Sequence, residues 1–351
     1  MAKTSTTAST TSGPVSGLPL GEGPRFHYDI YALLEGSQEL YFGSEVAVNV
    51  NLVETVEVMQ LDGTTVEKCL IAPTKRRGVE RRTLIWAPRA DGTLLGDALG
   101  CGIPNACARP SCPICGVYGA LRTNNMGKTV QYVRDGVVHD RNVEPTTFLG
   151  RLTHGGGVAV QPQEAAVKQR AMHPSRVLKH GDDNPAPFRR EYNQPGLLYP
   201  VYNHCLSITN AQFAAAAYAF LNVLPRIGAG NPKGAQIAVG ALLGQDEQPL
   251  LVVDRYRVPL GGRPTISPSL TDAAAARATF AEQAARVHGA AQTRDAVFVG
   301  ADGVVMDLDG EGTDPVFSRW IGAAALTELE TRALDFATRV LLSSAVPGLE
   351  D

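Results

Sequence analysis

LPRIGAGNPKGAQIAVGALL, Leu224 to Leu243, links an apolar helical stretch to a strand-like one through a loop where Gly228, Gly230 and Gly234 surround Asn231, Pro232 and Lys233. Glycines let a backbone turn with positive φ and let a ligand approach the main chain closely. Successive amide N–H groups in such a turn form an anion-binding concavity, to which Lys233 adds a mobile charge. A phosphate suits this arrangement; a plain helix-to-strand connection is the other reading. A P-loop ends in Gly-Lys-Ser/Thr, whereas here the lysine precedes the last glycine. The one GKT, Gly127-Lys128-Thr129, has Arg122 where the first P-loop glycine belongs. A dinucleotide fingerprint runs strand, glycines, helix, the reverse of the order here. Nucleotide-cofactor binding is therefore disfavoured.

The 351 residues suffice for a full core, and 44% hydrophobic with 19% charged residues is ordinary for a globular protein. No apolar run approaches a membrane span. Residues 1–24 are rich in Ser, Thr, Gly and Pro without an apolar core segment, which predicts a disordered tail, not a signal peptide, and a cytoplasmic protein. Net charge is −3, but it is unevenly spread: residues 74–190 hold 18 Lys and Arg against 9 Asp and Glu, and residues 246–351 hold 9 against 16. Such a split places a basic surface on one side of a slightly acidic molecule.

Working outward from the loop, Asn210 is expected to cap a helix over 211–223, and strands are expected over 201–208, 235–243 and 248–258. Phe26 to Leu34 reads as a strand, with a helix as the other reading, and the alternating Glu45 to Met59 reads as a strand returning through a hairpin at Asp62-Gly63. Lys75-Arg76-Arg77 and Arg81-Arg82 are expected on a basic loop able to touch phosphates, followed by a short strand over 83–87. Residues 124–200 are polar and Gly/Pro-punctuated and read as insertions, with His154, His173 and His180 facing solvent. Helices over 270–288, capped by Thr271, and 326–343, with Thr327 and Glu330 as a capping box, flank a hairpin around Asp302-Gly303.

Four of six cysteines, Cys101, Cys107, Cys112 and Cys115, fall within 15 residues. In a reducing compartment such density points to zinc before disulfides. Cys112-Pro113-Ile114-Cys115 has the spacing that lets two thiolates share a tetrahedral metal, while Cys101 and Cys107 are more widely spaced. Buried free thiols are the alternative.

Strands on both sides of the helix–glycine loop–strand unit suggest an α+β chain with a ferredoxin-like (RRM-like) core over residues 25–351, carrying large insertions at about 74–122 and 124–200. Three segments, in order, resemble the RAMP superfamily, the proteins that form the backbone of multisubunit CRISPR effector complexes. WAPRADGTLLGDALG (Trp86–Gly100) stands where the family has an "IPGSSLKGALR"-like turn and helix. CPICGVYG (Cys112–Gly119) is similar to its "CPVCRLFG"-like segment, and IGAGNPKGAQIAV (Ile227–Val239) to its "IGGGKSRGFGRV"-like loop. Leu95 and Asp97 replace a usual lysine and arginine, leaving Arg89 as the nearest substitute. The divergence resembles the type IV backbone subunit more than the type III one.

The resemblance implies a subunit that polymerises along a guide RNA (crRNA) beside other CRISPR subunits and leaves the bases free to pair with a target. Gly228, Gly230, Asn231, Lys233 and Gly234 would cradle its backbone, with Arg76, Arg77, Arg81, Arg82, Arg89 and Arg122 as positive partners. No catalytic residue is expected. Asp62 lies where type III relatives carry a cleaving aspartate, but a hairpin turn accounts for it. Two alternatives stay open. One is a metal-dependent hydrolase, disfavoured because four cysteines close a zinc's coordination. The other is a guide-processing endoribonuclease using His27 or His204.

Overall fold

A computed structural model describes residues 20–37, 40, 46–47, 50–162, 166–171, 187–228, 234–286, 296–299, 305–307 and 317–344. The N-terminal tail expectation falls outside these except for residues 20–24, where Leu20 is buried and its carbonyl accepts from Thr209 Oγ1 at 2.6 Å.

The chain is organised around β1 (Arg25–Gly36), a strand buried on both faces. Phe26, Tyr28, Ile30, Ala32 and Leu34 join one hydrophobic core, and Tyr31 and Leu33 the other. Alternate side chains leave a strand on opposite faces, so apolar residues at both parities require cover on both sides. In sequence there follow α1 (Pro73–Ile85), β2 (Leu152–Gly156), β3 (Leu198–Thr209), α2 (Asn210–Val223) and β4 (Ala235–Ile237). These lie in the order β2-β3-β1-β4 with antiparallel neighbours, the order of a ferredoxin-like βαββαβ unit. Beyond it, β5 (Leu251–Tyr256) pairs with His27–Ala32 of β1, alongside the stretch that β4 covers at Leu34–Gly36. β6 (Ala296–Val299), β7 (Val305–Asp307) and β8 (Phe317–Ile321) extend the sheet in the order β5-β8-β6-β7. Helices α1, α2 and α4 (Ala323–Phe336) supply one core, and α3 (Ala273–Ala284) covers the opposite face through Ala276, Phe280 and Ala284.

The stretch expected as a basic loop and short strand is helix α1. Pro73 opens it at a position where a missing N–H costs nothing. Arg76, Glu80 and Leu84 repeat every four residues and are buried, so the helical stripe is written partly in charged residues. The region expected as an insertion over 124–200 contributes β2 and the start of β3 to the main sheet. The hairpin at Asp62-Gly63 forms between Thr55–Met59 and Thr65–Cys69, and Asp62 Oδ1 accepts from Thr64 N at 2.9 Å and Thr64 Oγ1 at 2.7 Å.

Helix starts differ by a few residues from expectation. Thr209, not Asn210, caps α2: its Oγ1 accepts from Gln212 N while Gln212 Oε1 accepts from Thr209 N, both at 3.2 Å. Asn210 is thereby freed to accept from Tyr28 Oη at 2.6 Å. Asp272, not Thr271, caps α3 by accepting from Ala275 N at 2.7 Å. Helix α4 starts at Ala323 behind Gly322 (φ 64°), so Thr327 and Glu330 lie within it and form no cap. β6 and β7 pair antiparallel, and the turn expected at Asp302-Gly303 lies outside the described residues. Among the described residues no helix is long and apolar enough to cross a membrane.

Candidate nucleic-acid interface and metal centre

After α2 the chain makes a short 3-10 turn, Leu224–Arg226, buries Ile227 and enters the glycine turn at Gly228 (φ 93°). It leaves at Gly234 (φ 63°), where a Cβ would sit 2.8 Å from Pro225 Cα, so a side chain is excluded by both conformation and space. Gly230, Asn231 and Lys233 lie outside the described residues. Ser37 Oγ donates to Gly234 O at 2.8 Å, placing the exit of the turn at the C-terminal end of β1.

At the entry, the exposed Arg226 guanidinium lies 5.2 Å from the centroid of the Trp86 ring, itself 49% exposed. Trp86 caps the C-terminus of α1, so the chain just before Gly228 adjoins the end of that helix. Sequence reading missed this pair as site residues. The available signal was an arginine two positions before Gly228 and an aromatic opening the Trp86–Gly100 segment.

The predicted arginines divide by environment. Arg77 is exposed and donates to Tyr118 O; Arg81 and Arg82 are half-buried on the same helix. Arg76 is 1% exposed, with Nη1 donating to Asn203 Oδ1 at 3.1 Å and Nη2 to Gly155 O at 2.7 Å. It cannot meet a phosphate. Beside it Glu80 accepts from Asn203 Nδ2 (3.0 Å) and Tyr118 Oη (3.0 Å) and meets His154 Nε2 at 2.7 Å. Burial opposes ionisation of Glu80, yet the charges of His154 and Arg76 outweigh it and hold the carboxyl below its ordinary range. His154, expected in solvent, is thus an internal partner; His173 and His180 lie outside the described residues. Arg89 is also withdrawn, donating to Ser343 O at 2.9 Å and pairing with Asp91 at 2.9 Å. Arg122 is 2% exposed and donates to Ala106 O (3.1 Å) and Gly127 O. Arg76, Arg89 and Arg122 are therefore structural donors, because each satisfies internal acceptors that burial would leave unpaired.

His204 Nδ1 pairs with Asp29, which also accepts from Tyr31 Oη at 2.7 Å, and the His27 and His204 rings stack at 6.3 Å. These histidines sit on the N-terminal half of β1 and its partner strand, away from the glycine turn.

The four cysteines converge. Their sulfurs all lie within 4.8 Å of one another and all four residues are buried. Cys115 Sγ is 3.4 Å from Cys101 Sγ and 3.8 Å from Cys107 Sγ. A tetrahedral metal with bonds of about 2.3 Å to sulfur sets its ligands roughly 3.8 Å apart, so the quartet has the size to hold a metal ion. The Cys115 N–H donates to Cys112 Sγ at 3.4 Å, a bond that suits a thiolate acceptor. Burial pushes the Cys112 thiol up, a cost that a coordinated cation would remove. Gly100 (φ 58°) turns the chain into Cys101, and Arg109 ties the loop back by donating to Leu99 O at 2.8 Å. The wide pair of cysteines and the Cys-x-x-Cys pair are brought together by this loop.

No protein-family model and no curated protein matches the chain. Among solved structures it is similar to a chain of a Type IV-B CRISPR complex, with 13% identity over 69% of this chain and 96% of that one, TM-score 0.33. It is similar to Thermofilum pendens Csc2, with 14% identity over 90% and 88%, TM-score 0.39. It is similar to a chain of a CRISPR RNA-guided surveillance complex, with 10% identity over 74% and 82%, TM-score 0.36.

Proposed function

We propose that the protein is a guide-RNA-binding backbone subunit that polymerises along crRNA in a cytoplasmic CRISPR effector complex, with other subunits of that complex and a target strand as further partners. One observation carries this reading: Arg226 stacked on Trp86 ties the chain just before Gly228 to the C-terminal end of α1, the helix that also carries the exposed Arg77 and the half-buried Arg81 and Arg82. Positive charge that follows a phosphate backbone, together with an aromatic face for a base, is the chemistry of sequence-tolerant single-strand binding. Lys233, Gly230 and Asn231 lie in sequence between Gly228 and Gly234 and are read as backbone contacts. The Cys101, Cys107, Cys112 and Cys115 quartet is read as a closed structural zinc site, holding in place the loop that packs beside α1. With all four positions taken by thiolates such a zinc stabilises and does not activate water, and no catalytic step is assigned to the chain.

The test is purification from cells followed by sizing with and without ribonuclease. The expected result is a large, RNA-containing particle that ribonuclease reduces to small species. A protein that purifies free of nucleic acid and shows no affinity for added single-stranded RNA would overturn the reading.

A further inference from the structure

At the far end of β1 from the glycine turn, about 36 Å away along a strand rising roughly 3.3 Å per residue, two arginines converge without an acidic partner. Arg25 Nη1 and Arg151 Nη1 each donate to Ser207 O, both at 2.9 Å, and Arg25 Nη2 donates to Gly21 O at 2.7 Å. Among the described residues neither makes an ion pair.

A strand irregularity creates the meeting point. The β1–β3 register slips between the Phe26–Ile208 and Tyr28–Cys205 pairs, and Ser207 takes φ 51°. A non-glycine residue in the left-handed region is strained, and such bulges re-aim groups at functional surfaces. Here the Ser207 N–H donates to His27 Nδ1 at 3.4 Å while its carbonyl meets the two guanidinium groups.

Both arginines line an open cavity of about 380 Å³ together with Gly21, Ser111, Phe148 and Leu149. Leu149 stands 91% exposed. Among the described residues the exposed Glu22 is the one carboxylate of the lining, leaving an excess of positive charge. Two guanidinium groups carry ten N–H donors between them, and one shared carbonyl and Gly21 O employ only a few. Burial and the charge of Arg25 hold the Arg151 guanidinium below its ordinary value, which records a repulsion that an anion would relieve. Guanidinium forks match phosphate oxygens two at a time, and the apolar Phe148 and Leu149 side suits a sugar or base edge.

We propose that Arg25 and Arg151 clamp a backbone phosphate of a single-stranded nucleic acid, a grip separate from the glycine turn. The choice of a nucleic acid as the source of the phosphate rests on the function proposed above.

The experiment compares wild type, Arg25→Ala/Arg151→Ala, Arg25→Lys/Arg151→Lys and the exposed control Arg134→Ala. Affinity for single-stranded RNA and DNA oligonucleotides is measured as a function of salt. A second arm measures the unfolding temperature in inorganic phosphate against chloride at equal ionic strength. The double alanine variant should lower the salt slope by about 0.7, the single-strand value for the one phosphate contact that the clamp makes. The lysine variant and Arg134→Ala should leave the slope near wild type, and phosphate should protect wild type but not the alanine variant. An unchanged slope in a folded alanine variant, or an equal loss in Arg134→Ala, overturns the clamp. Phosphate protection with an unchanged oligonucleotide slope assigns the cavity to a free anion instead and likewise overturns it. If wild type binds no RNA, the proposed function falls; DNA and phosphate then decide the clamp by themselves, and failure of both ends it. If the alanine variant does not fold, phenylglyoxal labelling of wild type replaces it: the oligonucleotide should shield Arg25 and Arg151 and not Arg134, and lack of shielding overturns the proposal.

Discussion

Arg226 lies over the Trp86 ring at 5.2 Å, joining the end of the short 3-10 turn ahead of Gly228 to the residue that caps α1. A guanidinium already stacked on one indole face leaves the other half of an exposed ring for a base. Trp86→Ala should weaken single-stranded RNA binding by about 1–3 kcal/mol, the range for one base–aromatic stack. The loss should be alike across unrelated sequences, and Trp86→Phe should recover most of it. Fluorescence anisotropy with several oligonucleotides measures this, and full affinity in a folded Trp86→Ala protein would remove the indole from the interface.

Lys233 and the α1 arginines act through charge, so they should change the salt dependence. Lys233→Ala should reduce the slope of log K against log salt by roughly 0.7, and Arg77→Ala with Arg81→Ala and Arg82→Ala should reduce it further. An unchanged slope in Lys233→Ala would leave the turn a structural connection.

Beneath that surface, Glu80 is buried among Arg76, His154, Asn203 and Tyr118. Removing one partner of a buried charged set strands the other, at a cost of about 3–5 kcal/mol. Glu80→Ala should therefore destabilise the fold by that amount in urea unfolding, whereas exposed Arg134→Ala should stay within about 0.5 kcal/mol of wild type. Equal, small effects would mean that the network contributes little.

The same carboxyl sets a pH dependence. Its folded value lies below the ordinary glutamate value of about 4.5, so between the two values the unfolded chain binds more protons and stability rises with pH. The contribution is fully present above about 4.5 and is lost as pH falls through the folded value. Wild type should lose stability more steeply than Glu80→Gln between about pH 5 and pH 3; parallel curves would contradict the assignment.

What could be read in advance follows from which periodicities are apolar. β1, the Asp62 hairpin and α2 were legible because alternation and helical spacing are carried there by Val, Ile, Phe and Ala. α1 was not, because its buried stripe includes Arg76 and Glu80, residue types that signal solvent when read singly. The same reasoning misassigned Arg89 and Arg122, whose burial depends on carbonyls supplied by Ser343, Ala106 and Gly127. The cysteine quartet was legible through its Cys-x-x-Cys pair, but the approach of Cys101 and Cys107 needed the loop geometry. Trp86 and Arg226 lie far apart in the chain, and only the packing of α1 against α2 brings them together.

That quartet gives the last prediction. Four thiols within 4.8 Å and out of water crowd polarisable groups that a metal would bind as thiolates. Protein purified without chelators should contain one zinc per chain, and its removal should lower the unfolding temperature, because metal binding and folding share one free energy. Cys112→Ser and Cys115→Ser should lower both zinc content and stability. Cys69→Ser and Cys205→Ser, at the two buried cysteines outside the quartet, should leave zinc content at one. The Cys115 N–H to Cys112 Sγ bond adds a finer expectation: cobalt substituted for zinc should show tetrahedral, thiolate-dominated absorption in wild type and lose it in Cys112→Ser. A fully folded protein with no metal, and four thiols that react with a thiol reagent in the native state, would show instead that the cluster packs as free cysteines.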